Sequence, residues 1–569
     1  MKSFRLLIFT GLLIVFSLGL FLRLFRLDRY PAGFTPDEAA QGYTAYSILK
    51  TGKDEWGKSF PLNLRSFGDF KPPLQTYLTI PSVFLLGLNE LAVRLPNALI
   101  GSLAILTVFF FAKELFGDFL LALTASFLVS FSPWHLTLSR GAFEANLTVF
   151  FISLGGYFLL RSFDRKGKKD QFLSALLLGL NLFSYHSAKV FTPLVVLALF
   201  VYHFGFSLSS MRRGLKRMPV FLVVFSFFLL LAFSSFFLGG QKRGLDIAVF
   251  NPTDQWQVVK DSRWWAQEKM ALPGFLPRVF NNKLFYSVNK IAVNYLSYLS
   301  PQFLFSDGPT EGAYGMLPGR GVLWWWELPL ILFGLYRLCR KKSKTAFLIL
   351  LITLAAPLPA SLTKGIRSAG RAAVMMPWIQ IFSAWVLVEL FSSFSSLKLK
   401  KRSLKIGPKL KFTAFILVFT GFFLFFMENY FIQSPRERAK EMLYGRCQAL
   451  RWVRDNYPQA DKIIVSRKLS EPQAYVMFCL NYPIRAAQEQ VPDWLEYQQK
   501  GLGFVDQLGE YSLGKFVFKE INWASDSKVA GSVLIGTEKE FPLVDFSPTK
   551  RIDYPDGQPA VFIYSNLSG

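Results

Sequence analysis

The sequence predicts a mainly α-helical, polytopic membrane protein with about 11 transmembrane helices and a small α/β domain at its C-terminal end. Three observations predict this fold class. Of the 569 residues, 52% are hydrophobic and only 18% are charged, whereas soluble domains carry about 25% charged residues. Long apolar runs recur up to residue 431. After that point the charge density becomes that of an ordinary soluble domain.

The apolar runs give the transmembrane helices. A helix needs about 20 mainly apolar residues to cross the hydrocarbon core. Eleven runs approach that length, namely 6–24, 95–114, 119–134, 145–160, 171–185, 190–206, 219–239, 322–338, 345–362, 372–391 and 411–431. A twelfth run, 74–88, is shorter and contains Pro81, so we interpret it as an interfacial or re-entrant helix.

The charge distribution predicts the orientation. The chain holds 64 Lys and Arg against 38 Asp and Glu, a net charge of +26. Such a charge can indicate nucleic-acid binding, but an apolar, Phe-rich chain is more typical of a multispan membrane protein. Four basic clusters lie in alternate loops, at 161–169, 212–217, 337–344 and 398–411. The positive-inside rule places all four in the cytoplasm if the N-terminus is cytoplasmic and 74–88 does not cross. We therefore expect a multi-pass cell-membrane protein with no nucleic-acid partner.

The same alternation predicts which segments lie outside the membrane. A membrane domain over 1–431 is followed by an extracytoplasmic α/β domain over 432–569, and the outer segments of the membrane domain are 25–94, 135–144, 186–189 and 240–321. In the C-terminal domain we expect a helix around 437–456 and strands at 463–466, 532–535 and 560–564.

The three cysteines have different predicted positions. Cys339 follows a predicted span on the cytoplasmic side and should be a free thiol. Cys447 and Cys479 both fall in the C-terminal domain. They could form a disulfide or remain two buried thiols, because spacing alone does not establish the geometry.

Polar chemistry is concentrated in the first outer loop. Asp37 and Glu38 follow Pro36 and open a helix-like stretch, and Asp69 and Lys71 lie just before the interfacial helix. Asp37 could simply be favoured by the helix dipole, and Lys71 could be a lysine that reaches the interface. Together, an acidic pair and a lysine able to bind a lipid phosphate indicate chemistry on a phospholipid-linked substrate.

A set of motifs in a fixed order strengthens this interpretation. They are Pro36-Asp37-Glu38-Ala39, Phe70-Lys71-Pro72-Pro73-Leu74, Glu90 to Pro96, Ser139-Arg140 with Glu144, Tyr185 to Lys189, and Pro359 to Leu362 followed by Arg367 and Arg371. On this topology they resemble the GT-C glycosyltransferases, polytopic enzymes that use polyprenyl-phosphate sugars. The likeness covers about residues 1–430 and is greatest to the branch of protein O-mannosyltransferases and lipid A aminoarabinose transferases.

The resemblance implies residue roles. The first-loop aspartate of that family activates the acceptor hydroxyl, which corresponds to Asp37 with Glu38 in support. The lysine before the prolines contacts the lipid phosphate, which corresponds to Lys71. Some relatives carry an acidic residue directly before that lysine; here Phe70 stands there, and Asp69 lies one position earlier.

Physical chemistry suggests the remaining groups. A glycosyl phosphate already has a good leaving group, so the enzyme needs a base for the acceptor and cations for the phosphate. We predict phosphate contacts from Lys71 and from Arg140, Lys189, Arg367 and Arg371. Further candidates for binding substrate are Asp69, Glu144, His186 and Arg320. Each of these cations could instead be a surface charge near lipid headgroups.

The predicted function is transfer of a single hexose or pentose from a polyprenyl-phosphate donor to an extracytoplasmic protein, lipid or glycan, with inversion. Two alternatives are a transporter or flippase for a lipid-linked sugar, and a metal-dependent oligosaccharyltransferase or polysaccharide ligase. The sequence has no Walker A motif, Rossmann fingerprint or HExxH motif. We therefore expect no cofactor and no tightly held metal. A weakly bound divalent cation shared by Asp37, Glu38 and the donor phosphate is left open.

Overall fold

The computed structural model describes residues 2–567 except 166, 236–247, 250–254, 313, 317–318, 394–395, 400–401, 406 and 543–545. Helices dominate the chain as far as residue 437. The longer ones are Lys2–Leu24, Pro36–Thr51, Leu74–Leu86, Glu90–Phe116, Phe119–Phe131, Leu147–Arg165, Lys168–Asn181, His186–Phe204, Leu208–Lys216, Pro219–Ser235, Gln255–Glu268, Lys283–Leu299, Glu327–Lys341, Lys344–Ala355, Trp378–Ser393 and Pro408–Glu428.

The eleven apolar runs all correspond to helices within the described residues. Seven of these helices are long and apolar enough to cross a membrane individually, and the bent pair Leu208–Lys216 and Pro219–Ser235 makes an eighth if it is one span. The runs 119–134, 171–185 and 322–338 form shorter helices of 13, 14 and 15 residues. The end of one run, 236–239, lies outside the described residues. The polytopic helical fold is thus confirmed.

The predicted cytoplasmic loops meet at one end of the helical bundle. The contacts that join them are Arg161 Nε to Asp170 Oδ2 at 3.4 Å, Gln171 Nε2 to the Arg217 carbonyl at 3.0 Å, Tyr202 Oη to Thr345 Oγ1 at 2.6 Å, Arg337 Nη2 to Glu389 Oε2 at 2.8 Å and Lys411 Nζ to the Phe391 carbonyl at 2.7 Å. The basic clusters therefore share one end, and the first outer loop lies at the other.

The first outer loop contains a helix and a small hairpin. The helix Pro36–Thr51, here called the first-loop helix, starts with a capping box in which Thr35 Oγ1 accepts from the Glu38 amide and Glu38 Oε2 accepts from the Thr35 amide. It ends at Gly52, which adopts a left-handed conformation. The strands Leu64–Ser66 and Asp69–Lys71 pair antiparallel. The predicted interfacial helix is present as Leu74–Leu86.

The described residues 434–567, here called the C-terminal unit, form a six-stranded sheet with short helices. The strands in spatial order are Tyr511–Leu513, Phe516–Lys519, Lys462–Ser466, Ser532–Gly536, Pro559–Ser565 and Lys550–Asp553. The central strand Lys462–Ser466 pairs parallel with both of its neighbours. All three predicted strands are confirmed.

The predicted helix over 437–456 is wrong in its first half. A short helix, Ser434–Glu437, is separated from the helix Arg446–Asn456. Between them, Leu443 and Gly445 have φ angles of 53° and 94°. A right-handed helix cannot pass through such positions, so the helix starts again after Gly445.

The C-terminal unit packs directly on the first-loop helix. Its helix Pro472–Cys479 lies against the first-loop helix, and Tyr475 Oη donates to the carbonyl of Phe34, just before that helix, at 2.6 Å. In return, Tyr43 Oη donates to the Tyr482 carbonyl at 2.8 Å. Residues from both parts share one apolar core. The first outer loop is therefore held between the helical bundle and the C-terminal unit.

The alternative left open for the cysteines is resolved in favour of the bond. Cys447 and Cys479 form a disulfide with their Cα atoms 5.4 Å apart, and Cys339 is free and exposed. The bond links the helices Arg446–Asn456 and Pro472–Cys479. It thereby fastens the helix that lies on the first-loop helix.

We expect thiol counting to reproduce this pairing. In denatured, unreduced protein a maleimide should label one cysteine per chain, and all three cysteines after reduction. Intact-protein mass spectrometry measures both counts, and the C339S variant should show no label before reduction and two after it. Three labels before reduction would contradict the pairing.

Candidate active site

Lys71 lies at the centre of a cluster of charged side chains next to the first-loop helix. The hairpin of residues 64–71 carries it, with its backbone paired to Leu64. Its side chain is only 9% exposed. Its Nζ atom lies 2.8 Å from Asp37 Oδ2 and 3.0 Å from Asp69 Oδ2. The structure thus brings together three residues that the sequence predicted for one site.

The electrostatic surroundings keep Lys71 charged. Burial alone would lower its pKa, but the charges of Asp37 and Glu144 and the hydrogen bond to Asp37 outweigh burial and raise the pKa. Lys71 therefore remains an ammonium ion at any physiological pH. The Asp37 side chain is 49% exposed, so solvent or a ligand can reach the pair from the Asp37 side.

Glu144 forms the next wall of the site. Asn97 fixes the loop before it by donating from Nδ2 to the carbonyls of Leu138, at 2.8 Å, and Gly141. Gln41 of the first-loop helix donates to Glu144 Oε2 at 3.4 Å. The position of Glu144 therefore depends on contacts from two separate helices.

His186 supports the hairpin rather than lining the site. Its Nε2 atom lies 2.9 Å from the Phe70 carbonyl, directly before Lys71. Lys189, one helical turn further on, donates to Ser235 Oγ at 3.2 Å. Both predicted residues thus lie near the site, but with protein partners of their own.

Two tyrosines that were not among the predicted site residues face the cluster. A Cβ atom added at Gly370 would lie 2.5 Å from Tyr314 Oη and 3.6 Å from Tyr185 Oη, so both hydroxyls lie beside that glycine. Burial raises the pKa of each phenol, and the charge of Glu144 adds to the effect. Both hydroxyls stay protonated and can donate hydrogen bonds. Tyr185 belongs to a motif of the sequence, whereas no local signal marked Tyr314.

Arg371 follows Gly370 and reaches the same region. Its Nη1 atom donates to Thr363 Oγ1 at 3.0 Å and to the Lys364 carbonyl, and its Nη2 atom lies 3.9 Å from Glu311 Oε1. The Nη2 edge of the Arg371 guanidinium is therefore only loosely paired. Arg367 points away from it and pairs with Asp307 at 2.9 Å.

Glu38 lies in the protein interior, although Asp37 beside it is half-exposed. Its side chain is fully buried, and its Oε1 atom accepts from Arg94 Nε at 2.9 Å and from the Ala142 amide at 3.2 Å. Its other oxygen closes the capping box with Thr35. A carboxylate with these partners fixes the start of the first-loop helix and is not available as a base.

Arg140, predicted to contact the donor phosphate, has protein partners of its own. It is fully buried and donates to the carbonyls of Leu22, Phe25 and Tyr30 and to Tyr430 Oη. Arg320 lies over the Phe425 ring, with its carbon Cζ 4.6 Å from the ring centre. Sequence position alone could not distinguish these cations from Lys71.

A residue of the C-terminal unit lies close enough to the cluster to be influenced by its charges. Glu471 directly precedes the helix Pro472–Cys479. Its Oε2 atom is buried and has no hydrogen-bond partner within the described residues. The charges of Asp37 and Lys71 both act on it. Nothing in the sequence of the C-terminal unit indicated such a position.

A metal site is not evident in the part of the chain that the structure describes, where no three His, Cys, Asp or Glu side chains group so that they could hold an ion. Glu38 turns inward to Arg94, away from Asp37. The carboxylates of these two neighbours therefore lie in different surroundings.

Comparison with known proteins gives two kinds of similarity. Residues 13–242 match the profile of the family described as dolichyl-phosphate-mannose-protein mannosyltransferase. A search of the curated proteins finds no match. The matched segment contains the first outer loop, the Glu144 loop and the turn at Tyr185.

Two solved structures share the fold. ArnT from Cupriavidus metallidurans bound to undecaprenyl phosphate superimposes with a TM-score of 0.51 at 12% identity, over 100% of this chain and 99% of that chain. The archaeal oligosaccharyltransferase AglB from Archaeoglobus fulgidus, in complex with an inhibitory peptide and a dolichol-phosphate, gives 0.50 at 14% identity, over 94% and 69%. The family profile and the shared fold together confirm the resemblance to GT-C glycosyltransferases.

Removing Arg94 should destabilise the protein strongly. The R94L variant leaves the Glu38 carboxylate buried without its charge partner, which typically costs about 3–5 kcal/mol. The matched control is R454L, because Arg454 pairs with Asp455 on the surface, where a pair contributes about 0–1 kcal/mol. Thermal unfolding in detergent measures both. Equal melting temperatures for the two variants would contradict the role assigned to Glu38.

Proposed function

We propose that this protein transfers one sugar from a polyprenyl-phosphate donor to a hydroxyl-bearing acceptor outside the cytoplasm, with Asp37 as the base and Lys71 as the phosphate ligand. The observation that carries the proposal is the contact between these two residues. A buried ammonium ion and a half-exposed carboxylate meet at 2.8 Å at one end of a membrane bundle. This is the pair of groups that a glycosyl phosphate and an acceptor hydroxyl require.

The contact also suggests how donor binding prepares the base. When no sugar donor is bound, Lys71 donates a hydrogen bond to Asp37 and makes that carboxylate less ready to take a proton. A phosphate that accepts from Lys71 weakens this contact and adds a negative charge near Asp37. Both changes raise the proton affinity of Asp37, so it becomes a better base once the donor is bound.

The sugar is then transferred in a single displacement step. Asp37 takes the proton of the acceptor hydroxyl while the hydroxyl oxygen forms a bond to the anomeric carbon of the sugar. The bond from that carbon to the phosphate oxygen breaks, and the polyprenyl phosphate leaves with the electron pair. Lys71 stabilises the charge on the departing phosphate. Arg371, Tyr185 and Tyr314 are further hydrogen-bond donors to it. A single displacement inverts the anomeric carbon.

An apolar cavity supports a lipid-linked donor. It has a volume of about 650 Å³ and lies between the helices His186–Phe204 and Lys344–Ala355. Its lining runs from Lys344 to Leu358. Leu358 opens the short segment that leads to Thr363 and Arg371. A polyprenyl chain in this cavity would have its phosphate at the site end of the bundle.

The charge distribution supports an extracytoplasmic site. The basic loops meet at the end of the bundle opposite Lys71, and basic loops favour the cytoplasmic side. With this orientation the C-terminal unit and the site lie outside. The acceptor then comes from the extracytoplasmic side, as a protein, lipid or envelope glycan.

The D37N variant should lose transfer while keeping its fold. Without the base, the rate of transfer from a radiolabelled polyprenyl-phosphate sugar should fall about 100- to 10,000-fold. The matched control is D28N, because Asp28 is an exposed acid in the same loop, and it should retain the wild-type rate. Wild-type transfer by D37N would reject Asp37 as the base. Transfer by the wild type only from diphosphate donors with added Mn²⁺ would favour an oligosaccharyltransferase.

The K71M variant should bind the lipid phosphate less tightly. Loss of a charge-assisted hydrogen bond should weaken binding of undecaprenyl phosphate about 10- to 100-fold. Lys58, an exposed lysine of the same loop, supplies the control K58M, which should bind like the wild type. The detergent-solubilised protein is titrated with undecaprenyl phosphate, and native mass spectrometry of each step gives the dissociation constants. Unchanged binding by K71M would place the phosphate elsewhere.

A further inference from the structure

The docking of the C-terminal unit brings Glu471 within electrostatic range of Asp37 and Lys71. The helix Pro472–Cys479 lies on the first-loop helix through Tyr475 and Phe34, and residue 471 directly precedes it. Ser470 and Glu471 have φ angles of 60° and 46°. Such left-handed positions are uncommon outside glycine and are held only when the surroundings fix them. The backbone here turns sharply where it faces the site.

The loop that holds Glu471 is anchored to the hairpin of Lys71. The Glu471 amide donates to Asp506 Oδ2 at 3.0 Å, and Tyr511 Oη donates to Asp506 Oδ1 at 2.7 Å. The neighbouring Val505 amide donates to the Phe67 carbonyl at 2.9 Å. Asp506 thus fixes the backbone of Glu471, and the residue next to Asp506 is bonded to the turn of the hairpin that carries Lys71.

The backbone is fixed, but the carboxyl group of Glu471 is not satisfied. Its Oε2 atom is buried without a hydrogen-bond partner in the described part of the chain. A buried polar group is normally paired, so an unpaired one calls for an explanation, such as a bound ligand, an ion or a water. The titratable groups that act on Glu471, or on which it acts, are Asp37, Lys71, Asp506, Tyr475 and Tyr511. Only one of these, Lys71, is a cation.

We propose that Glu471 is a second ligand of the donor phosphate, supplied by the C-terminal unit, and that its carboxyl group donates a hydrogen bond to a phosphate oxygen. This inference rests on the proposed function, which places the phosphate at Lys71. The C-terminal unit then forms part of the donor site and not only a cap over it.

The charge state of Glu471 gives the direction of the pH dependence. Burial raises its pKa to about 8, and the negative charges of Asp37 and Asp506 add to this effect while Lys71 opposes it. Below a pH of about 8 the carboxyl is protonated and can donate to phosphate. Above that pH it is ionised, cannot donate and repels the phosphate. Lys71 has a raised pKa, so it stays charged throughout this range.

Binding of undecaprenyl phosphate to the full-length protein between about pH 7.5 and 9.5 tests the proposal. The second pKa of a phosphate monoester is about 6, so the ligand keeps one charge state in this window. Wild-type affinity should fall about tenfold as the pH rises through the pKa of Glu471. E471Q, which keeps a donor but cannot ionise, should bind as tightly at the alkaline end of the range as at the neutral end.

Two further variants distinguish the loss of the Glu471 hydrogen bond from a general disturbance of the fold. E471A should bind about three- to tenfold more weakly than the wild type at the neutral end of the range, with no alkaline loss. E496Q alters an exposed glutamate of the C-terminal unit that pairs with Lys500, and it should follow the wild-type profile. Reaction of the cysteines with maleimide, which reports the disulfide, verifies that each variant is folded.

Two results would overturn the inference: an alkaline loss in E471Q equal to that of the wild type, or wild-type binding that does not change with pH. Neither measurement requires sugar transfer. Intact, pH-dependent binding together with failure to transfer any sugar would instead reject the proposed function alone.

Discussion

The site depends on one buried ammonium ion. A lysine that is only 9% exposed would lose its charge unless negative groups surround it. Asp37 and Asp69 contact it, and the charge of Glu144 also acts on it. These carboxylates come from a helix, a hairpin and a loop between two spans. Three separate segments of the outer loops therefore supply the negative charge that keeps Lys71 an ammonium ion.

Two adjacent acidic residues of the first-loop helix have different roles because their side chains lie in different surroundings. Asp37 and Glu38 are neighbours at the start of one helix, so their side chains point in different directions. Glu38 points inward, where Arg94 neutralises it and Thr35 closes the capping box. Asp37 points toward Lys71 and the solvent. The buried pair holds the helix start in place, and the half-exposed Asp37 remains accessible to a substrate from the open side.

The C-terminal unit is joined to the candidate site by its own core. Its apolar residues share a cluster with Phe34, Tyr43 and Val93 of the membrane part, and its disulfide fastens the helix that makes this contact. The unit also covers the hairpin of Lys71 through the bond between Val505 and Phe67. Because the first outer loop lies between the two parts, a change in either part would reach Lys71.

The sequence by itself determined the features that depend on local composition. The apolar runs predicted the helices, and short β-rich runs predicted three strands, because both patterns repeat within a few residues. The motifs also predicted that Asp37 and Lys71 belong together. Only the tertiary structure decided which charges face the site. Glu38 and Arg140 turned out to be interior partners, and Tyr314 and Glu471 joined the cluster, because each position depends on contacts with residues far along the chain.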